Sequence, residues 1–344
     1  MSDFAQHGLI ATLQRLNDSH LERIEAELEE VVRERPIALI LPCHARDLTQ
    51  PALAHILEEL GEAAWLGEVV VSLNGHTPEL EQYAETLFSA FPQPSQVLWN
   101  DKESSSIAAG KGANFRAAIE FLRGHSSATI VATQDCDVAS FRRIDLARLC
   151  YAVAHPEMGY RFAKAYYSRV TDRLYGRVSR LFLHPLLHAV VRVAGHQPLI
   201  DFLLSFRYPL AGEVAMTREV AEGLPAAKGW GLELAHLCHV YRNVDPREIC
   251  QVDGGGAYDH KHQPAGSALV DMVGEIAGEF FEQVALEGLP GDPAFRAAVA
   301  TAYRREAEHA LRRSASLARI NGLPFDSGSE KAIVAAFAER LDAA

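Results

Sequence analysis

The sequence predicts an α/β fold: a mixed sheet flanked by helices, followed by a helical C-terminal extension. Three observations predict it. Short unbroken apolar runs occupy residues 37–41, 68–73, 97–99 and 128–133. Runs of that kind suit strands buried on both faces. Stretches of helical periodicity at residues 49–60, 78–90 and 112–123 alternate with them. Two carboxylates, Asp135 and Asp137, follow the fourth run. Strands alternating with helices imply parallel pairing through right-handed crossovers.

Each element has its own warrant. Residues 9–34 read as an amphipathic helix, because Leu9, Leu13, Leu16, Leu21, Ile24, Leu28 and Val31 recur near helical spacing among charges. Pro36 stops it, and the first apolar run begins. The second run ends in Asn74-Gly75, a turn signal. Beyond the carboxylates, residues 158–167 read as a strand and 172–194 as a helix. A short strand is expected within 208–217, a helix over 231–242 and a strand over 249–252. Three glycines at 254–256 lead into a polar loop around His260. From residue 267 three helices follow, split at 288–291 and 321–324, and no internal repeat is found.

Composition narrows the function. The chain has 344 residues, 48% hydrophobic and 23% charged, ample for a large core. Its net charge of −12 argues against a broad nucleic-acid-binding face. The five cysteines, Cys43, Cys136, Cys150, Cys238 and Cys250, are odd in number and lack a Cys-x-x-Cys pair. Neither a disulfide framework nor a zinc cluster is expected, and a reducing cytoplasm fits. Residues 1–9 lack a signal-peptide pattern, and no apolar stretch approaches the roughly 18 residues of a membrane span. The run 181–193, broken by His184, Pro185, His188 and Arg192, reads as a buried or interfacial helix.

Asp135 and Asp137 carry the most chemical information. In an extended or turning segment, side chains at i and i+2 point to one side. Two hard oxygen ligands at the carboxyl end of a buried strand seat Mg²⁺ or Mn²⁺ and leave positions for substrate phosphates. A bare Asp-x-Asp is commonly a cap or a solvated turn. Placement favours the metal: in parallel sheets, ligands bind beyond the carboxyl ends of the strands. The loops after residues 41, 73, 99 and 134 share that rim.

Other segments join the pair. Gly110-Lys111-Gly112 opens a helix on the same rim, where glycines admit a ligand and a lysine offers a mobile charge to a diphosphate. The spacing is not that of a Walker A loop. His260 offers an imidazole to complete a carboxylate-bound divalent site, with Asp259 and His262 as rivals that spacing does not separate. Glu233, at a helix start, is a first-turn acid matched to the helix dipole, or an acid, a base or a sugar-hydroxyl acceptor facing the reacting carbon. Gly176, Arg177 and Ser179, with Lys164 and Arg169, form either a solvated basic face or a seat for an anionic acceptor.

The order of these motifs resembles the retaining glycosyltransferases of the GT-A fold, and among them the glucosyl-3-phosphoglycerate synthase family. The likeness runs from residue 37 to 264. It rests on Gly110-Lys111-Gly112, on Asp135-Cys136-Asp137, and on residues 175–179 with 184–187. It continues through Pro209-Leu210-Ala211-Gly212-Glu213 with 217–219, Gly229 to Glu233, and Asp259-His260-Lys261. The resemblance implies that Asp137 and His260 ligate Mg²⁺ or Mn²⁺, with Asp137 also catalytic. Pro42, Asn74, Lys111 and Asp135 would bind the nucleotide-sugar, with UDP-glucose favoured. Gly176, Arg177, Ser179 and His262 would bind the acceptor, a small anionic molecule such as 3-phosphoglycerate. Glu233 would also be catalytic, beside the transferred glucose. It further implies a product that feeds an osmolyte, while a homodimer is expected from the exposed-looking amphipathic C-terminal tail. Residues 1–35 would form an N-terminal helical segment and 36–265 the catalytic domain, nucleotide-binding over 36–137 and acceptor-binding over 138–265. Residues 266–344 would form the extension.

The chain departs from the family pattern in three places. Pro42 to Asp47 replaces an acidic loop, Asn74 to Thr77 replaces an Asp-Ser-Gly pattern, and His262 stands where an asparagine is usual. Rival readings are a transferase of the same fold using mannose, glycerate, or a lipid-linked or glycan acceptor, and a non-catalytic nucleotide-sugar-binding protein. A metal-dependent phosphoesterase needs more His and Asp ligands at strand ends than the chain offers.

Overall fold

The computed structural model describes residues 8–17, 20–101, 110–227, 229–257 and 266–342. The chain divides into two compact units. One comprises residues 1–167, 211–228 and 242–260, and the other 168–210, 229–241 and 261–344.

The first unit is built on one eight-stranded sheet. Its strands are β1 (Ala11–Leu13), β2 (Ile37–His44), β3 (Glu68–Asn74), β4 (Ser95–Trp99), β5 (Ile130–Thr133), β6 (Phe162–Ser168), β7 (Val214–Thr217) and β8 (Ile249–Ala257). Their order across the sheet is β1-β8-β6-β7-β5-β2-β3-β4. The pairs β5–β2, β2–β3 and β3–β4 are parallel, as strand–helix alternation requires. Strand β7 runs antiparallel to both β5 and β6, which makes the sheet mixed. Residues 37–41 are all 0% exposed, so β2 is covered on both faces. Helices α1 (Leu21–Val31), α2 (Pro51–Gly61), α3 (Pro78–Ser89), α4 (Lys111–His125) and α5 (Arg143–Ala154) follow in chain order.

Two local expectations change. Residues 9–34 are not one helix: Ala11–Leu13 forms strand β1, parallel to residues 250–252 of β8, and α1 starts at Leu21. Leu9 and Leu16 are 49% and 75% exposed, so the leucine spacing marks no buried stripe there. The edge of β8 supplies hydrogen bonds that local propensity does not foresee. Helix α5 was not expected from the sequence. Leu146, Ala147, Leu149, Cys150, Ala152, Val153 and Ala154 are all buried, so the helix shows no narrow apolar stripe to read.

The second unit is helical. It holds a π-helical turn (Val178–Leu183), α6 (His184–Ala194) and α7 (Pro198–Ser205). The short helix α8 (Arg218–Gly223) belongs to the first unit, while α9 (Leu232–Asn243) lies in the second up to residue 241. Helices α10 (Ser267–Leu286), α11 (Pro293–Ile320) and α12 (Ser327–Asp342) complete the unit and match the three expected from residue 267. The expected helix over 172–194 begins later and opens with the π turn. Pro185 lacks an amide hydrogen, and a widened turn just before it accommodates that loss. Phe182 anchors the core, edge-on to Tyr303 and Phe337 at 5.8 Å each. The Tyr303 hydroxyl donates to the Leu181 carbonyl at 2.7 Å. Among the described residues, no helix is long and apolar enough to cross a membrane.

His184 gives this unit a pH dependence. Burial pushes its imidazole down to about 4 from an ordinary 6.5, against a partly compensating backbone hydrogen bond at Arg207. The folded form therefore binds fewer protons than the unfolded chain between those values. Stability is full above pH 6.5 and is lost as pH falls toward 4, by on the order of 3 kcal/mol for this group. His184→Gln is expected to flatten that part of the curve. Melting temperatures of both proteins from pH 7 to 4.5 check it: parallel curves would rule His184 out.

Candidate active site

The carboxyl ends of β2 to β5 form the rim predicted for the site. Asp135 and Asp137 follow β5, half-buried, while Cys136 between them is 5% exposed. This inward–outward alternation turns both carboxylates away from the core. Both cysteines are free; the Cys43 thiol of β2 hydrogen-bonds to Cys136, and that contact, followed by burial, raises the Cys43 thiol well above its usual range. A buried pair of cysteines thus backs the two acids.

Lys111, the first residue of α4, reaches the rim. Its Nζ lies 2.7 Å from Asp135 Oδ1. The structure therefore joins two predicted nucleotide-binding residues from separate motifs. Asn74 closes β3, 8% exposed, and its Oδ1 has no hydrogen-bond partner. A buried acceptor of this kind is costly unless a ligand supplies the donor. Pro42 sits in β2 opposite Ser72. Asp101, just past β4, caps the turn after Asn74, accepting from the Gly75 amide at 2.6 Å and the His76 amide at 3.2 Å. Asn114 of α4, 3% exposed, donates to the Cys43 carbonyl at 3.1 Å and accepts from Asn100. Asp101, Asn100 and Asn114 were not expected from the sequence. For Asn100 and Asp101 the only signal was a polar pair just after a strand, and for Asn114 a polar residue in the first turn of a helix on the rim.

Gly212 shapes the rim from the segment before β7. A Cβ there would stand 2.4 Å from Lys111 Nζ and 2.7 Å from each Asp135 oxygen. Only glycine lets this backbone lie so close to the ion pair. Three anchors hold the segment. The Thr133 hydroxyl donates to the Gly212 carbonyl at 2.6 Å and accepts from the Val214 amide at 3.3 Å. Lys164 donates to the Ala211 carbonyl, and Tyr167 donates to buried Glu213 at 2.8 Å. Lys164 is 2% exposed, so it belongs to this support and not to a solvated basic face. Arg218, from the motif at 217–219, is structural: it donates to the carbonyls of Leu122, Ser126 and Ala128.

Gly176, Arg177, Ser179 and Glu233 lie in the second unit. Gly176 takes φ +67°, a conformation that side chains disfavour. Arg177 Nε donates to Glu330 Oε1 at 3.1 Å. Ser179 is 4% exposed and its hydroxyl has no hydrogen-bond partner. Arg169 donates to the Tyr208 hydroxyl at 3.4 Å. Glu233 stands in the first turn of α9, half-buried. Asp259, His260 and His262 lie outside the described residues. Among those described, no three His, Cys, Asp or Glu side chains group into a metal site. The two rim acids, hard oxygen donors at a strand end, fit a divalent ion that takes its other ligands from phosphate.

Comparison with known proteins adds to this geometry. No family model matches the chain. A glucosyl-3-phosphoglycerate synthase of Persephonella marina is 34% identical over 99% of this chain and 89% of its own length. One from Methanococcoides burtonii is 31% identical over 92% of this chain and 83% of its own. Among solved structures, glucosyl-3-phosphoglycerate synthase of Mycobacterium tuberculosis superposes with a TM-score of 0.63 at 21% identity. That match covers 82% of this chain and 89% of the other, which was crystallised with Mn²⁺, UDP-glucose and phosphoglyceric acid. A second structure of that enzyme, with Mn²⁺, UDP and glucosyl-3-phosphoglycerate, gives a TM-score of 0.60. The expected architecture, a mixed sheet flanked by helices with a helical C-terminal region, is the one these structures share. By sequence identity sustained along its whole length, the chain belongs to the glucosyl-3-phosphoglycerate synthase family of glycosyltransferases.

Proposed function

We propose that the protein transfers glucose from UDP-glucose to 3-phosphoglycerate, with retention at the anomeric carbon and dependence on a divalent cation. The observation that carries this reading is the Lys111–Asp135 pair at 2.7 Å, on a strand-end rim beside Asp137. The family relation supplies the donor and acceptor classes.

In this reading Asp137, with His260 from the loop outside the described residues, would hold Mg²⁺ or Mn²⁺. Such an ion, when bound, neutralises charge that builds on a departing diphosphate. Lys111 adds a second positive charge at the phosphates, and Asp135 lies toward the ribose. Pro42 and Asn74 border the base. Gly176, Arg177, Ser179 and His262 hold the acceptor, and Glu233 lies beside the glucose. The acceptor hydroxyl attacks the anomeric carbon from the face that the diphosphate leaves. Its proton passes to a leaving phosphate oxygen, so no dedicated base is needed. Holding both reactants in this geometry supplies much of the acceleration.

Residues 36–137 serve the nucleotide and 138–265 the acceptor, between an N-terminal segment 1–35 and an extension 266–344. The protein acts in the cytoplasm as a homodimer, and its product feeds an osmolyte. A monomer by light scattering at micromolar concentration would refute the dimer.

Activity is tested by UDP release from UDP-glucose with Mn²⁺ or Mg²⁺ and either 3-phosphoglycerate or glycerate. Release is expected only with metal and acceptor together, and faster with the phosphorylated acceptor. Release that needs no acceptor, or that needs a lipid, would overturn the reading. A preference for glycerate would keep the transferase and change the acceptor.

A further inference from the structure

We propose that Glu330, on the last helix, is a positioning residue for the acceptor: it fixes the guanidinium of Arg177. This rests on reading Arg177 as an acceptor-binding residue. Arg177 and Arg180 stand three positions apart, at and within the π turn, where helical side chains share a face. Side by side, two guanidinium groups repel. Glu330 lies between them, with Oε1 3.1 Å from Arg177 Nε and Oε2 2.6 Å from Arg180 Nη1. The carboxylate side chain is only 6% exposed.

The two arginines are bound differently. Arg180 is committed to its surroundings. It donates to the Tyr175 carbonyl at 2.9 Å, the Ser314 hydroxyl at 3.2 Å and the Leu174 carbonyl at 3.4 Å. Arg177 is engaged through Nε. A guanidinium tied at Nε keeps its two terminal nitrogens for a bidentate contact with phosphate or carboxylate. Its side chain is 18% exposed. Two guanidinium groups against one carboxylate leave a surplus positive charge, which suits an anion. Ser179, two residues on, presents the buried hydroxyl that lacks a partner.

The backbone that carries the carboxylate is held firmly. Asp326 caps the start of α12, accepting from the amides of Gly328 and Ser329 at 3.0 Å each, and its carbonyl accepts from the Glu330 amide at 3.0 Å. A rigid helix start thus sets the angle of Arg177. The C-terminal extension contributes to acceptor recognition through this contact, without touching the acceptor itself.

The test uses the full chain with Mn²⁺, UDP-glucose and 3-phosphoglycerate. Glu330→Gln is expected to raise the acceptor KM about tenfold or more, because misplacing a binding group by about 1 Å costs up to about a hundredfold. The donor KM should stay within about twofold. Glu330→Asp, which keeps the charge but withdraws it by one methylene, is expected to give an intermediate acceptor KM and is the variant to use should Glu330→Gln not fold. Acceptor KM unchanged or lowered in a folded variant would overturn the proposal. So would donor and acceptor KM rising together, which marks general structural damage. Arg177→Lys separates the two levels. An unchanged acceptor KM there would remove the acceptor reading of Arg177 itself. A raised one, beside a normal Glu330→Gln, would remove only the role of Glu330.

Discussion

Asp137→Ala is expected to lower turnover by about 10²–10³ or more, comparable to losing a preorganised electrostatic contact in an active site. Asp137 is half-buried directly after buried Cys136, at the point where β5 leaves the sheet. The strand that leads to it is paired on both sides, with β2 and with β7. The loss should therefore fall on kcat, with the melting temperature nearly unchanged. Steady-state rates at saturating Mn²⁺ and UDP-glucose, with melting curves alongside, check this. A variant that keeps more than a tenth of the turnover would remove Asp137 from the reaction.

Gly212→Ala is expected to cost 10- to 100-fold in kcat/KM for UDP-glucose, the range for a displacement of about 1 Å at a binding group. The added methyl meets no backbone. Its nearest neighbours are the tips of two flexible side chains, Lys111 Nζ at 2.4 Å and the Asp135 oxygens at 2.7 Å. Those tips swing aside at small cost to stability, but they are the groups assigned to the nucleotide. Function should thus suffer while folding does not. A second substitution discriminates the cause: Lys111→Ala in the Gly212→Ala background should add little, since the pair is already disrupted. Full additivity of the two effects would show that Gly212 acts elsewhere.

Much of residues 36–137 was legible because strands there are buried and read as unbroken apolar runs. The edge strand β1 was not legible, for its partner lies far along the chain and its own leucines imitate a helix. Helix α5 was hidden by burial on several sides. At the site, Lys111 and Asp135 were legible from their place after strands and before helices. Gly212 was visible only as one member of a motif, because its effect depends on the through-space approach of three segments. Glu330 was not legible at all. An acid in the first turn of a helix is commonplace, and only the fold shows two arginines on either side of it. The helix expected over 172–194 was right in kind and wrong in form, since Pro185 sets a constraint that periodicity does not register.

The pairing of Ala11 with Cys250 bears on how the chain assembles during synthesis. Strands β2, β3 and β4 pair with neighbours close in sequence and can zip soon after they leave the ribosome. Strand β5 must wait for β7 to gain its second neighbour, and β1 must wait for residues emerging 239 positions later. Until then the N-terminal strand travels as a loose end, and the sheet carries an open margin. Translation at 5–20 residues per second makes that interval roughly 10–50 seconds. The parallel strands β2, β3 and β4 can thus be framed well before the sheet is closed.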